Sequence, residues 1–318
     1  MPYVEATFCV MPSLLTRPLC AGEVAPTVLN LRILEPESID ANTRRMLNVE
    51  FDIAEMAFGT YARALDEGVP IVGLPIFTSG RRFLQAGFHF AAGSGLRDLS
   101  ELRGRTVATP QYWLSSTIWQ RQILAQRYGV APEDLRWVTL QPERGSVGVP
   151  SGIRHRFEDS GRSAQDLAKT REIDASLTTG GGREPAGDAL VAAFPDRAAA
   201  QREYYERAGI FPIMHVTVMK RELAEREPWV VESICEAYDR AKEMAGAGQA
   251  PTKSETPSAG ETTEEMVQLM GDDPWPYGIG RNRTALEAFV ETAYEQRLVG
   301  RKYGVEELFA PNLPEGFR

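Results

Sequence analysis

The chain has 318 residues, 43% apolar and 25% charged, with 35 basic against 44 acidic groups and a formal net charge of −9. That length exceeds the roughly 250–300 residues at which single cores stop growing, so two lobes are expected, each able to bury a core. The acidic balance speaks against nucleic acid or an anionic membrane surface as the main partner. No run of about eighteen uninterrupted apolar residues occurs, so no membrane span is expected.

The opening stretch MPYVEATFCVMPSLL lacks a basic segment ahead of an apolar one, so no secretory leader is expected. Cys9, Cys20 and Cys235 are odd in number and show no CxxC spacing, which fits reduced thiols and a cytoplasmic location. His89, His155 and His215 are far apart and form no HExxH, so no metal site is expected. With no dinucleotide fingerprint and no Walker loop, no organic cofactor is expected either. Oligomeric state stays open, a homo-oligomer included.

In chain order, Tyr3–Met11 and Val28–Leu34 read as strands, FDIAEM as a strand feeding the helix AFGTYARALDEG, and Val69–Phe77 as a buried strand. FLQAGFHFAA is a further extended run, Thr106–Thr109 a strand, and STIWQRQILAQRYG a helix stopped by Gly129. Strands RWVTL, GIRHRF and EIDASLTT follow, with a helix at SAQDLAKT, and then a helix at AAAQREYYERAG and a strand at FPIMHVTVM. Two long helices, PWVVESICEAYDRAKEMA and RTALEAFVETAYEQRLVG, flank Gly246–Glu265, whose Gly, Pro, Ser and Thr content predicts a mobile loop. This alternation predicts an α/β protein with largely parallel sheets.

Candidate chemistry falls at strand ends, where open α/β sheets bind ligands. In QYWLSSTIWQRQIL, Ser115, Ser116 or Thr117 would cap a helix whose N–H groups could take a carboxylate or phosphate, with Trp113 as a stacking face. Plain capping is the commoner use of such residues. TSGRRF offers Arg81 and Arg82, which grip carboxylates bidentately, although adjacent arginines are more often a solvated turn. Alternation through FPIMHVTV puts Phe211, Ile213 and His215 on one strand face. His215 is then either a satisfied core histidine or a proton donor in a cleft. Glu55 reads as an acid at a strand–helix junction, where it would complement the helix dipole. The glycines of TTGGGREP allow close backbone approach but form no phosphate loop. DDPWPYGIGRNR is a proline-stiffened aromatic turn, either a cap on the core or the wall of a site.

TRPL with the following G-x-V (Thr16–Val24), FDIAEMAFGTYA, LPIFTSGRRF, LRGRTVATPQY, YYERAGIFPIMHV, DPWPYGIGRNR and LFAP together resemble the 4,5-dihydroxyphthalate decarboxylases. The match covers nearly the whole chain and is most specific at FPIMH and DPWPYG. The resemblance implies a type II periplasmic-binding-protein-like α/β fold of two lobes with the ligand in the cleft, residues 1–94 and 211–318 against residues 95–210. It places hinges near Phe90–Gly95 and Gly209–His215. It implies cofactor-free, non-oxidative loss of CO2 from a small hydroxylated aromatic carboxylate. In that setting His215 would donate the proton, Glu55 would partner the ring hydroxyl, and Arg17, Arg81 and Arg82 would clamp carboxylates. Ser115, Ser116 and Thr117 would bind a carboxylate from the second lobe, and Trp275 and Tyr277 would wall the cleft.

One departure bears on the substrate: Leu84-Gln85 stand where the family pattern carries Arg-His, in a loop that also gains Gly80. The substrate expected on that ground differs from 4,5-dihydroxyphthalate by a carboxylate or in its ring pattern. Two rivals share the scaffold, a cytoplasmic small-molecule sensor and another lyase acting on a carboxylated ring.

Overall fold

A computed structural model describes residues 4–143, 148–179, 187–246 and 263–318. The glycines of TTGGGREP and most of the expected mobile loop lie outside the described residues. The strands are β1 (Val4–Cys9), β2 (Leu29–Ile33), β3 (Ile53–Ala57), β4 (Ile71–Leu74), β5 (Phe88–Ala91) and β6 (Thr106–Thr109). They continue with β7 (Arg136–Thr139), β8 (Arg154–Phe157), β9 (Ala175–Leu177), β10 (Leu190–Ala192) and β11 (His215–Lys220). The helices are α1 (Arg17–Cys20), α2 (Ile39–Leu47), α3 (Phe58–Asp66), α4 (Ser115–Tyr128) and α5 (Ala164–Lys169). After them come α6 (Arg197–Ala208), α7 (Arg221–Arg226), α8 (Trp229–Gly246), α9 (Thr263–Met270) and α10 (Arg283–Glu295).

The chain forms two compact units. The first contains residues 1–81, 213–291 and 299–318, and its sheet has the order β2-β1-β3-β11-β4. β1 runs parallel to β2 and β3, whereas β11 inserts antiparallel between β3 and β4. Burial of all five residues of β3 explains its unbroken apolar run apart from Glu55. Phe58 of α3 stacks on Phe289 of α10 at 4.1 Å, closing the core beside the sheet.

The second unit contains residues 82–212 and 292–298, with sheet order β10-β5-β9-β6-β7-β8. β6, β7, β8 and β9 run parallel, and β5 is antiparallel to β9 and β10. Its core joins Ala108, Val138, Leu167, Ile173 and Leu190. The sequence drew the first crossing near Phe90–Gly95; pairing of β5 with β9 and β10 puts residues 88–91 in this sheet instead.

Two local expectations need correction. Helix α4 begins at Ser115 and its N-cap is Leu114, which makes no side-chain cap bond, so none of Ser115, Ser116 and Thr117 is the cap. Phe211–Met214 are not strand: β11 starts at His215, and the Met214 carbonyl accepts a bond from the N–H of Phe58. Pro212 has no N–H to offer a ladder, and residues 211–214 are all buried with no alternation of faces.

Candidate functional site

The register of β3 and β11 creates the site in the first unit. Thr217 lies opposite Glu55 and His215 opposite Ala57. Directly paired residues share a face, as do residues two apart on a strand, so Glu55 and His215 are diagonal neighbours on one face of the sheet. Glu55 is wholly buried, two residues before the N-cap of α3. It is therefore a strand residue and not a helix-start acid.

Both carboxylate oxygens of Glu55 are engaged. Oε1 accepts from Ser79 Oγ at 2.5 Å and from Thr78 Oγ1 at 3.4 Å, and Oε2 accepts from the Met11 N–H at 3.2 Å. Burial outweighs these bonds and pushes the carboxyl up to about 7. Ser79 Oγ is also 2.7 Å from His215 Nδ1, whereas Nδ1 and Glu55 Oε1 are 3.7 Å apart. One hydroxyl thus bridges acid and imidazole. The His215 side chain is 17% exposed against 1% for Glu55, so of the pair the ring is the group within reach of solvent or ligand.

Gly80 permits this approach. Its φ of +72° lies in the left-handed region, and a Cβ there would sit 2.7 Å from His215 Cε1 and Nδ1. The absence of a side chain at position 80 is what lets the Ser79 loop lie against the ring.

Arg81 is buried beneath the proline-rich turn. Its Nη1 donates to Asn282 Oδ1 at 2.8 Å and to the Pro276 carbonyl at 3.4 Å. Asn282 Nδ2 in turn donates to the carbonyls of Pro276 (2.9 Å) and Gly278 (2.8 Å). Lys242 Nζ holds the same turn through Asp273 Oδ2 at 2.7 Å and the Trp275 carbonyl at 2.8 Å. Trp275 and Tyr277 are both buried, and Trp275 Nε1 and Tyr277 Oη have no hydrogen-bond partner among the described residues. Tyr277 meets Tyr238 edge-on at 6.2 Å. Arg17 is exposed at the start of α1.

In the second unit Arg82 is half-buried, while Leu84 is fully buried and Gln85 nearly so. Leu84 and Gln85 thus lie inside a packed segment. Trp113 donates its backbone N–H to Glu143 Oε2 at 3.1 Å and its Nε1 to the Gly148 carbonyl at 3.2 Å. Ser115, Ser116 and Thr117 are buried in the first turn of α4, and Thr117 Oγ1 bonds Thr109 Oγ1 at 2.9 Å. Arg121, unnoticed in the sequence, is buried with its guanidinium 3.8 Å from the Tyr112 ring centre, and burial lowers it to about 10.

Of the predicted site residues the structure brings His215 and Glu55 together, and Arg81, Trp275 and Tyr277 around one turn. Sequence reasoning missed Ser79, Asn282 and Tyr238. Ser79 lies in TSGRRF, two residues ahead of Arg81, and no local pattern marks it.

The chain is 28% identical over 319 residues to a 4,5-dihydroxyphthalate decarboxylase from Comamonas testosteroni, covering 95% of each. A 4,5-dihydroxyphthalate decarboxylase from Pseudomonas putida is 27% identical over 170 residues, 51% of this chain and 65% of that protein. Over nearly its whole length, this chain resembles the 4,5-dihydroxyphthalate decarboxylases. No protein-family model matches.

Among solved structures, the alkanesulfonate-binding protein SsuA from Xanthomonas axonopodis pv. citri superposes with a TM-score of 0.54 at 12% identity, covering 99% of each chain. A sulfonate-binding SsuA from Methylobacillus flagellatus gives 0.53 at 10% identity, over 97% of this chain and 92% of that one. Protein AF1704 from Archaeoglobus fulgidus gives 0.51 at 16%, over 93% and 98%. At these identities the likeness concerns the fold alone, and that fold is the type II periplasmic-binding-protein-like one expected from the resemblance to the decarboxylases. No helix among the described residues is long and apolar enough to cross a membrane.

Proposed function

We propose that this protein is a carboxy-lyase that removes CO2 from a hydroxylated aromatic carboxylate of the 4,5-dihydroxyphthalate kind. The observation that carries the reading is the Glu55–Ser79–His215 chain, with contacts of 2.5 and 2.7 Å, in a protein similar to such decarboxylases over 95% of its length. A ring hydroxyl pushes electron density toward the carbon that bears the carboxylate. That carbon takes a proton from the His215 imidazolium, the bond to CO2 breaks, and its electron pair restores the aromatic ring. The reaction asks the protein for an acid at a fixed position and for the exclusion of water around it.

His215 fits the acid because its ring is the exposed end of a buried relay. Glu55, 1% exposed and bonded to Ser79, Thr78 and Met11, would act through Ser79 and His215 and not as the direct hydroxyl partner first expected. The turn carrying Trp275 and Tyr277 supplies a rigid wall, held by Arg81, Asn282 and Lys242.

The second reading is a small-molecule-binding protein, favoured by the sulfonate-binding proteins that share the fold. A panel of hydroxybenzoates and hydroxyphthalates separates the two, scored first by thermal shift and then by CO2 release. The decarboxylase reading expects at least one ligand that both stabilises the protein and loses CO2, and expects its methoxy analogue to lose none. Stabilisation without CO2 from every hydroxylated acid would leave the binding reading standing.

A further inference from the structure

We propose that Ser79 is a positioning residue that couples Glu55 to His215, relaying a proton from the buried carboxyl to Nδ1 of the imidazole. The proposal rests on the reading above, in which His215 protonates the substrate ring. The direct Glu55–His215 separation of 3.7 Å is too long for a hydrogen bond, whereas the Ser79 hydroxyl is within 2.7 Å of both groups. A hydroxyl has one hydrogen to donate and lone pairs with which to accept, so it serves the two neighbours in opposite senses.

Two arrangements satisfy all three groups. With Glu55 protonated, its O–H donates to Ser79 Oγ and the serine O–H donates to Nδ1, leaving a neutral ring protonated at Nε2. With Glu55 ionised, Nδ1–H donates to Oγ and the serine O–H donates to Oε1, and the ring is an imidazolium. Passing from the first to the second breaks the Glu55 O–H and the original serine O–H. It forms a new serine O–H and an Nδ1–H bond. Net charge over the three residues is unchanged. The imidazolium then gives its Nε2 proton to the ring carbon, and solvent returns one proton afterwards.

The surroundings suit such an exchange. Burial pushes the Glu55 carboxyl up to about 7, which brings it toward the range of an imidazole. Among the described residues, Cys20 from α1, Tyr238 from α8 and Tyr277 from the turn feel its charge, and burial raises all three above their ordinary values. They stay neutral across that range, leaving the shared proton to Glu55 and His215. Gly80 keeps the hydroxyl in place by letting its loop lie against the imidazole.

The test uses the whole protein with ¹⁵N-labelled histidine, comparing wild type with Ser79→Ala, Ser79→Thr and Glu55→Gln. Nδ1 and Nε2 shifts of His215 are followed from pH 5 to 9, with kcat and KM on a turned-over hydroxylated acid. In wild type, the His215 shifts are expected to move in two coupled steps, one arising from Glu55. Ser79→Ala should abolish the coupling and lower kcat by about 10–100-fold with KM changed less than about threefold. It should also shift the pH profile, while Ser79→Thr should restore both coupling and rate to within about threefold. A His215 titration identical in wild type and Ser79→Ala would overturn the relay. If Ser79→Ala does not fold, a His215 titration unaltered by Glu55→Gln would overturn it equally. If no hydroxylated acid loses CO2, the decarboxylase reading fails, and the nitrogen shifts still decide whether Ser79 couples the pair.

Discussion

Replacement of His215 by asparagine is expected to lower turnover by ~10²–10⁴-fold while ligand affinity stays within a few-fold. Asparagine keeps a polar group near Ser79 Oγ and about the size of the ring, but it cannot hold and release a proton near neutral pH. The half-buried position of the ring keeps it accessible, and the Ser79 contact fixes its orientation. CO2 release and titration calorimetry with the same ligand measure the two quantities separately. Unchanged turnover would make His215 a packing residue of β11. A parallel loss of affinity and rate would make it a binding residue.

Glu55→Gln is expected to change how stability depends on pH as well as to slow turnover. Burial raises the carboxyl from an ordinary value near 4.5 to about 7. A group whose pKa rises on folding holds its proton more tightly in the folded chain. The stability it contributes is full below pH 4.5 and is lost as pH rises through 7. The shift corresponds to roughly 3 kcal/mol over that window. Glutamine cannot ionise, and its amide can serve the Met11 N–H with its oxygen and Ser79 Oγ with its nitrogen. Urea unfolding of the variant should therefore show a flatter stability profile from pH 5 to 8 than wild type. Equal slopes in the two proteins would mean that Glu55 is ionised throughout.

Much of the fold was legible because local signals and tertiary structure agree. Thr106–Thr109 was read to the residue, and the helix beginning at Ser115 stops at Gly129, whose φ of +64° is the left-handed cap that glycine favours. Helix α2 was missed because IDANTRRML is mostly polar, although Ser38 caps it by accepting from the Ala41 N–H. The antiparallel insertion of β11 was not legible, since alternation reports which faces are buried and says nothing of strand direction.

The candidate site was legible in part for the same reason. An acid at the end of an apolar strand and a histidine within another are anomalies that the sequence exposes, although the fold puts Glu55 inside β3 and His215 at the head of β11. Ser79 is an ordinary loop serine until the fold brings it beside partners 24 and 136 residues away. Arg81 reads as a ligand clamp because arginines often are, and in the fold its Nη1 also donates to Asn282 and to the Pro276 carbonyl of the aromatic turn. No local pattern distinguishes these uses of a guanidinium.

The proposed reaction delivers a proton to an aromatic carbon and then loses CO2. Turnover of a hydroxylated aromatic acid by the purified protein in D2O tests that most directly, with the phenolic product read by NMR and mass spectrometry against CO2 evolved. One CO2 per phenol and one deuterium, located on the ring carbon that carried the carboxylate, are expected. Product formed without deuterium at that carbon, or no CO2 from any hydroxylated acid that binds, would contradict it.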